Sequence, residues 1–189
     1  MHSNKGKIRI IAGEYRGRRI AVPDRPGLRP TPDRVRETLF NWLGQSLDGL
    51  SCLDLFAGSG ALGFEAASRR AARVVMVEQD RAAFALLKQT RETLRADQVE
   101  LVFDDAFAYL RRANDEFDVV FLDPPFRQNA LPTVFKLLKP RPGTRVYVES
   151  EEPLKDAAWR ELKRARAGQV SYQLLQWSGD DQGGLSRNV

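Results

Sequence analysis

The chain of 189 residues has very little of two side chains that commonly build metal sites and nucleophilic catalysts, cysteine and histidine. Its single cysteine, Cys52, excludes an internal disulfide and any metal site made of several cysteines. Its single histidine, His2, excludes catalytic triads and metal sites that depend on histidine. Cys52 stands in the strand-like run SCLDLF, where a small buried side chain is expected. We therefore expect a function that needs no metal and no histidine.

Long hydrophobic runs are also missing. No run approaches the roughly 20 apolar residues that cross a bilayer. The first ten residues, MHSNKGKIRI, lack the apolar core of a signal peptide. With 42% hydrophobic and 29% charged residues, the composition is that of a globular protein long enough to enclose a core. We expect a cytoplasmic monomer that does not bind membranes.

Charge is unevenly distributed along the chain. The 30 Lys and Arg residues outnumber the 25 Asp and Glu residues, which gives a net charge of +5. Through Phe40, ten basic residues stand against four acidic ones, so the first fifth carries a surplus of six. Such a concentration of positive charge favours a polyanionic partner such as a nucleic acid. A solvated basic arm is the alternative interpretation.

The basic segment is predicted to form a β-hairpin. Lys7 to Ile11 and Arg18 to Val22 have strand-like patterns, and they flank the turn residues Gly13 to Gly17. A connector rich in proline and glycine follows. After it, Thr31 is predicted to cap a helix that has Pro32 at its first position. The hairpin places three arginines at or beside its tip: Arg16, Arg18 and Arg19.

From Ser51 onward, strand-like and helical stretches alternate. Continuous apolar strands separated by helices indicate an α/β fold with a mostly parallel sheet covered on both faces. The runs ELKRARA and QVSYQLLQW flank Gly168 and predict a closing antiparallel hairpin. We predict three parts: a basic hairpin and connector over 1–30, an α/β domain over 31–178, and a disordered tail over 179–189.

The stretch DLFAGSGALGFE carries a glycine loop between the first α/β strand and a helix. Gly58, Gly60 and Gly63 form a G-x-G-x-x-G pattern, and Glu78 closes the next strand. The pattern is typical of nucleotide sites, where glycines allow a tight turn and an acid binds ribose hydroxyls. Asp54 precedes the loop and disfavours a doubly anionic pyrophosphate. S-adenosylmethionine has no phosphate and carries a cationic ammonium and sulfonium, so it suits the acid better.

A third acid follows the next strand in the run FDDAF. Asp105, or Asp104 beside it, can accept a hydrogen bond from an adenine amino group, and Ala106 leaves room for the ring. Each acid alone has an ordinary structural interpretation as a helix cap or a solvated strand end. Acids at the carboxyl ends of three successive strands would face one crevice, because ligands bind at that edge of an open α/β sheet.

The stretch FDVVFLDPPF ends the fourth α/β strand in Asp123, Pro124, Pro125 and Phe126. For a planar base with an amino group, Asp123 can accept one amino hydrogen and the Pro124 carbonyl the other. Pro125 restricts the residue before it and so fixes that carbonyl. Phe126 can stack on the base. The alternative is a rigid turn leaving a strand, and the neighbouring glycine loop and acids disfavour it.

These motifs together carry a family resemblance. DLFAGSGALGFEA and VVFLDPPF resemble the class I S-adenosylmethionine-dependent amino-methyltransferases. RIIAGEYRGRRIAVP and LRPTPDRVRETLFNWL resemble, more narrowly, the bacterial 16S rRNA guanine-N2 methyltransferases named for guanine 966, the RsmD type. The resemblance runs from about Lys7 to Trp177. It implies a Rossmann-like seven-stranded sheet, S-adenosylmethionine as cofactor, and 16S rRNA in the small ribosomal subunit or its late precursor as substrate.

The resemblance also implies residue roles. It assigns the amino-group site to Asp123, Pro124, Pro125 and Phe126. It assigns the cofactor site to Thr31, Arg34, Asp54, Phe56, Gly58, Gly60, Glu78, Asp105 and Ala106, with Thr31 and Arg34 beside the methionine end. From the basic hairpin and the rim of the site, we expect rRNA phosphates to bind Arg16, Arg18, Arg19 and Arg127.

Three other functions remain open at this point. A DNA adenine or cytosine amino-methyltransferase would share the loop and the DPPF motif, but only about sixty residues follow Phe126, too few for a recognition domain beside the sheet. A ribosome assembly factor could bind rRNA through the hairpin without catalysis. A nicotinamide-dependent oxidoreductase would share GSGALG, and Asp54 with the missing general acid makes it the least favoured.

Overall fold

The structure is a computed structural model, and it describes residues 6–23, 31–124 and 130–179. Within these residues no helix is long and apolar enough to cross a membrane. The strands are β1 Lys7–Arg9, β2 Arg19–Ala21, β3 Ser51–Asp54, β4 Arg73–Glu78, β5 Val99–Phe103, β6 Val119–Leu122, β7 Arg145–Ser150, β8 Trp159–Ala167 and β9 Val170–Trp177. The helices are α1 Asp33–Leu43, α2 Ala61–Ser68, α3 Arg81–Leu94, α4 Ala106–Arg112 and α5 Leu131–Leu137.

Seven of these strands form one sheet in the order β5-β4-β3-β6-β7-β9-β8. The first five positions pair in parallel, and β9 pairs antiparallel with both β7 and β8. The sequence prediction of a mostly parallel α/β sheet with a closing antiparallel hairpin is confirmed. The strand order reverses between β3 and β6, so their carboxyl ends open a crevice where ligands of such sheets bind.

Successive residues of the strands belong to opposite faces of the sheet. Cys52 and Val74 pack in a cluster with α1, α2 and α3, whereas Leu53 and Val75 pack in a second cluster with α4 and α5. This alternation follows from the two-residue period of a β-strand. Because both faces are covered by helices, the central strands are apolar throughout, which is why they are recognisable in the sequence.

The N-terminal hairpin is docked on α2. β1 and β2 pair antiparallel, as predicted. The Glu65 carboxylate accepts from the backbone N–H groups of Ile11 and Ala12 at 2.8 and 3.1 Å. At Gly13, a Cβ atom would lie 1.8 Å from the backbone oxygen of Ser68, and φ is +81°. Only glycine fits this contact, because it has no Cβ and adopts positive φ without strain.

Glu65 is also buried against two arginines. Its oxygens lie 3.4 Å from Arg36 on α1 and 2.9 Å from Arg69. The Arg36 side chain is fully buried and also donates to the carbonyl of Arg9 on β1 and to Asp33. A buried charge is stable only when it is paired and hydrogen-bonded, and here one carboxylate has both kinds of partner. Glu65 thereby joins the hairpin, α1 and α2.

The prediction that Thr31 caps α1 was wrong. The residue at the N-cap is Pro32, no side chain caps the helix, and α1 begins at Asp33. The Thr31 hydroxyl instead contacts two carboxyl groups of the crevice, which compete with the backbone for it. The predictions for Pro125, Phe126, Arg127, most of the connector and the tail from residue 180 lie outside the described residues. The division into three parts stays a prediction.

Candidate active site

The glycine loop lies between β3 and α2, and Asp54 anchors it. Asp54 ends β3, is 3% exposed, and accepts a hydrogen bond from the backbone N–H of Gly63 at 2.9 Å. Gly58 and Gly60 have φ of +53° and +79°, which makes the turn sharp. A Cβ atom at Gly63 would lie 2.2 Å from Met76 Cε, so the helix approaches β4 closely. Phe56, in the loop, is partly buried against the α4–α5 cluster.

Glu78 fastens the same loop from the next strand. Its carboxylate accepts from the backbone N–H of Gly58 at 2.8 Å and from that of Asp80 at 2.7 Å. The residue is the last of β4 and is nearly buried. The predicted ribose-binding acid therefore lies beside the predicted glycine loop, and it also sets the position of that loop.

Asp105 and Asp104 have different partners at the end of β5. Asp105 caps α4, since its Oδ1 accepts from the N–H groups of Phe107 and Ala108, each at 3.0 Å. Asp104 binds Arg112 at 2.6 Å. Both acids are therefore held toward α4, Asp104 by the guanidinium and Asp105 by the first backbone N–H groups of the helix. Ala106 is buried at the first position of α4.

Asp123 follows β6 and faces a second acid that the sequence interpretation missed. Thr31 Oγ1 lies 3.4 Å from Asp123 Oδ2 and 3.1 Å from Glu149 Oε1. The Tyr147 hydroxyl donates to the same Glu149 oxygen at 2.7 Å. Pro124 is buried next to Asp123. The crevice therefore contains a hydroxyl that bridges two carboxyl groups from neighbouring parallel strands.

The carboxyl groups of the crevice have raised pKa values. Burial raises the pKa of Asp54 to about 7, and the nearby Glu78 adds to the shift. Burial, followed by the charges of Glu149 and Asp54, raises the pKa of Asp123 well above its usual range. Burial likewise raises the pKa of Glu149. In the described part of the chain, no arginine or lysine offsets these shifts, so the crevice favours a cationic ligand.

Glu149 could have been found from the sequence. It is the second-to-last residue of β7, in the run RVYVES, and it follows the same rule as Asp54, Glu78 and Asp123: an acid at the carboxyl end of a parallel strand. The bridging position of Thr31 could not have been found in this way, because Thr31 is 92 residues from Asp123 and 118 from Glu149 in sequence.

The remaining predicted residues lie on the surface. Arg16, Arg18 and Arg19 are exposed on the docked hairpin, and Arg18 donates to the carbonyl of Thr93 at the end of α3. Arg34 is exposed in the first turn of α1, and its carbonyl accepts from Thr38. The hairpin thus presents three cations from a fixed position, whereas Arg34 has no described contact with the crevice acids.

Comparisons with known proteins show which family this chain resembles. The family model described as Conserved hypothetical protein 95 matches residues 8–176. "Ribosomal RNA small subunit methyltransferase D" of Escherichia coli K12 is 46% identical over 93% of this chain and 92% of that protein. The protein of the same name from Haemophilus influenzae is 43% identical over 91% and 95%.

Solved structures give the same result for the fold. The structure of yhhF from Escherichia coli superposes with a TM-score of 0.83 at 46% identity, covering 92% of this chain and 99% of that one. The structure of HI0767 from Haemophilus influenzae superposes with a TM-score of 0.77 at 41% identity, with the same coverage. The similarity therefore spans the hairpin, the sheet and the crevice together.

Proposed function

This chain belongs to the family described as Conserved hypothetical protein 95, and we propose that it transfers a methyl group from S-adenosylmethionine to the exocyclic N2 amino group of a guanine in 16S rRNA. The relatives named small-subunit rRNA methyltransferase D support the reaction and the class of substrate. The guanine and its N2 atom come from the resemblance of the N-terminal motifs. The substrate form is the small subunit or its late precursor, and the protein acts as a cytoplasmic monomer.

The residues of the crevice fit S-adenosylmethionine. The carboxyls of Asp54, Asp123 and Glu149 have raised pKa values, and the positive sulfonium and ammonium of the ligand would lower them. When bound, this cofactor supplies an electrophilic methyl group on a sulfonium whose sulfur leaves as a neutral thioether. The site residues that would hold it are Asp54, Phe56, Gly58 and Gly60 toward the methionine end, with Thr31 and Arg34 near them, Glu78 at the ribose, and Asp105 and Ala106 at the adenine.

Asp123 and Pro124 would position the reacting nitrogen. An exocyclic amino nitrogen is a weak nucleophile, because its lone pair is delocalised into the ring. The Asp123 carboxylate accepts one amino hydrogen and the Pro124 carbonyl the other, which turns the lone pair toward the methyl group. The same carboxylate stabilises positive charge that develops on nitrogen. Pro125 fixes the backbone and Phe126 stacks on the base, so the guanine is held in plane.

The substrate has to bring its base into the crevice. A stacked guanine cannot present its amino group to buried residues, so the target base turns out of its stack. The hairpin arginines Arg16, Arg18 and Arg19, together with Arg127, bind phosphates and fix the register of the RNA. The docking of the hairpin on α2 supports this role, because its cations keep a constant position relative to the crevice.

The observation that carries the proposal is the meeting of Asp123 with the glycine loop and its acids in one crevice. The test is a methyl-transfer assay with labelled S-adenosylmethionine on small subunits that lack the modification, on free 16S rRNA and on duplex DNA. Label on a guanine N2 of the subunits or rRNA, lost in Asp123→Asn, is the expected result. Label on DNA alone would identify a DNA amino-methyltransferase. No label in spite of measurable cofactor binding would identify an assembly factor.

A further inference from the structure

We propose that Asp123 and Glu149 hold one proton between them through the Thr31 hydroxyl, and that Glu149 is the positioning residue that sets the pH at which Asp123 can accept an amino hydrogen. This inference rests on the proposed function for its purpose, but the shared proton itself is a property of the free protein. It adds to the site a carboxyl group, Glu149, that neither the sequence motifs nor the family resemblance assigned.

The hydrogen count of the bridge favours a shared proton. Thr31 has one hydroxyl hydrogen, and its oxygen lies 3.1 Å from Glu149 Oε1 and 3.4 Å from Asp123 Oδ2. If both carboxylates were ionised, they would compete for that single hydrogen, and Thr31 could donate to only one of them. A proton on either carboxyl resolves this conflict. It donates to Thr31 Oγ1, and Thr31 donates to the other carboxyl.

The surroundings of the pair allow one negative charge but not two. The groups that face it are Asp54 from β3, Tyr147 from β7 and, behind Tyr147, Tyr172 from β9. Asp54 is acidic, and burial raises the pKa of Tyr147 well above its usual value, so neither brings a positive charge to the pair. Thr31 and Glu149 are 4% and 8% exposed and Asp123 is partly buried, so little water reaches the hydroxyl between the two carboxyls. Two carboxylates on either side of one buried hydroxyl repel each other and do not both ionise readily, so the proton belongs to the pair.

The position of the shared proton determines what Asp123 can do. Tyr147 donates to Glu149 at 2.7 Å and stabilises a negative charge there, which leaves the proton on Asp123 in the free protein. A cationic ligand in the crevice favours the charge on Asp123, and the proton then moves through Thr31 to Glu149. Asp123 becomes a carboxylate with one oxygen facing Thr31 and the other available to the guanine amino group.

The direct test is a carboxyl NMR titration of the full chain, free of ligand, labelled with ¹³C at the Asp and Glu carboxyls. Asp123→Asn identifies the Asp123 signal. In the wild type, the Asp123 and Glu149 signals should each move in two steps at shared pH values. In Glu149→Gln, which keeps an acceptor for Tyr147 and Thr31 but cannot ionise, Asp123 should titrate in one step about one pH unit or more lower.

Two further variants make the result decisive. Tyr147→Phe removes only the hydrogen bond that favours charge on Glu149, so the Asp123 titration should move in the same direction by a smaller amount. It also replaces Glu149→Gln as the test if that variant does not fold. Glu151→Gln makes the same chemical change at an exposed position two residues further along the chain and should leave Asp123 unaffected. An Asp123 titration that is identical in wild type, Glu149→Gln and Tyr147→Phe overturns the proposal.

The pH dependence of the single-turnover methyl-transfer rate gives a second test of the proposal. The reaction requires ionised Asp123, so its rate falls as the pH drops through the Asp123 pKa. In Glu149→Gln that acid limb should move to lower pH, the same direction as in the NMR titration. A lower rate with an unmoved limb would mean that Glu149 is only structural and overturns the proposal. If the wild type methylates none of the rRNA substrates, the proposed function fails, and the NMR titration still decides whether the proton is shared.

Discussion

The backbone N–H of Gly58 donates to the carboxylate of Glu78 at 2.8 Å, so the acid at the end of β4 fixes the loop that follows β3. Glu78 therefore has two tasks in the proposed site, to shape the glycine loop and to bind ribose hydroxyls. Both tasks depend on acceptor oxygens. A conservative substitution keeps the fold, so its effect on ligand binding can be measured.

Glu78→Gln should weaken S-adenosylmethionine binding by about tenfold or more. A carboxylate accepts hydrogen bonds more strongly than an amide, and the NH₂ group of Gln would point a donor at the N–H donor of Gly58 or Asp80. Isothermal titration calorimetry measures the dissociation constant. Glu100→Gln, on the exposed edge strand β5, is a matched control. An unchanged dissociation constant in Glu78→Gln would remove Glu78 from the cofactor site.

Asp123→Asn should retain cofactor binding and lower the single-turnover rate roughly 10²–10³-fold, since the amide cannot stabilise positive charge developing on the amino nitrogen as a carboxylate does. The assay compares rate and cofactor affinity in the same preparation. A variant that binds cofactor and transfers methyl groups at the wild-type rate would contradict the proposed role of Asp123.

Replacing Arg16, Arg18 and Arg19 together by alanine should weaken rRNA binding and reduce the slope of log K against log salt, because fewer counterions are released from the phosphates. The charge-conserving triple lysine variant is the control and should keep most of the slope. Binding is measured over a series of salt concentrations. An unchanged slope in the alanine variant would assign the hairpin a purely structural role.

Gly13→Ala and Gly17→Ala form a matched pair that tests the docking of the hairpin. Both glycines have φ of +81°, but a Cβ at Gly13 would lie 1.8 Å from the Ser68 oxygen, whereas a Cβ at Gly17 meets nothing within 4 Å. Gly17→Ala should cost only about 1 kcal/mol of strain. Gly13→Ala should cost roughly 1–3 kcal/mol more. Urea unfolding of both variants measures the difference, and equal losses would mean that this contact contributes little.

Asp54 should make the stability of the ligand-free protein depend on pH. Its pKa is raised from 3.8 to about 7, so the native state holds a proton that the unfolded chain releases near pH 4. The stabilisation that this proton gives the native state is fully present below about pH 4 and is lost as the pH rises toward 7. The decrease should be on the order of a few kcal/mol. Unfolding of wild type and Asp54→Asn from pH 4 to 8 checks this, and parallel curves would contradict it.

The sequence predicts the fold and part of the site because both depend on local patterns. Apolar strands covered on both faces stand out between amphipathic helices. Asp54 and Glu78 each end such a strand, and Asp123 directly follows one. The same rule applies to Glu149, but its strand has no accompanying glycine or proline motif to draw attention to it. What the sequence did not reveal are contacts between distant segments. Thr31 was expected to cap a helix, and its hydroxyl instead bridges two carboxyls.

Glu65 is one of the contacts that fix the hairpin relative to the glycine loop. It binds the backbone of the hairpin and lies on the helix that begins at the glycine loop. The distance between the hairpin arginines and the crevice is therefore constant. An rRNA phosphate bound by those arginines determines which nucleotide reaches the crevice. Target choice would then be a matter of measured length along the folded RNA, without any need to read neighbouring bases.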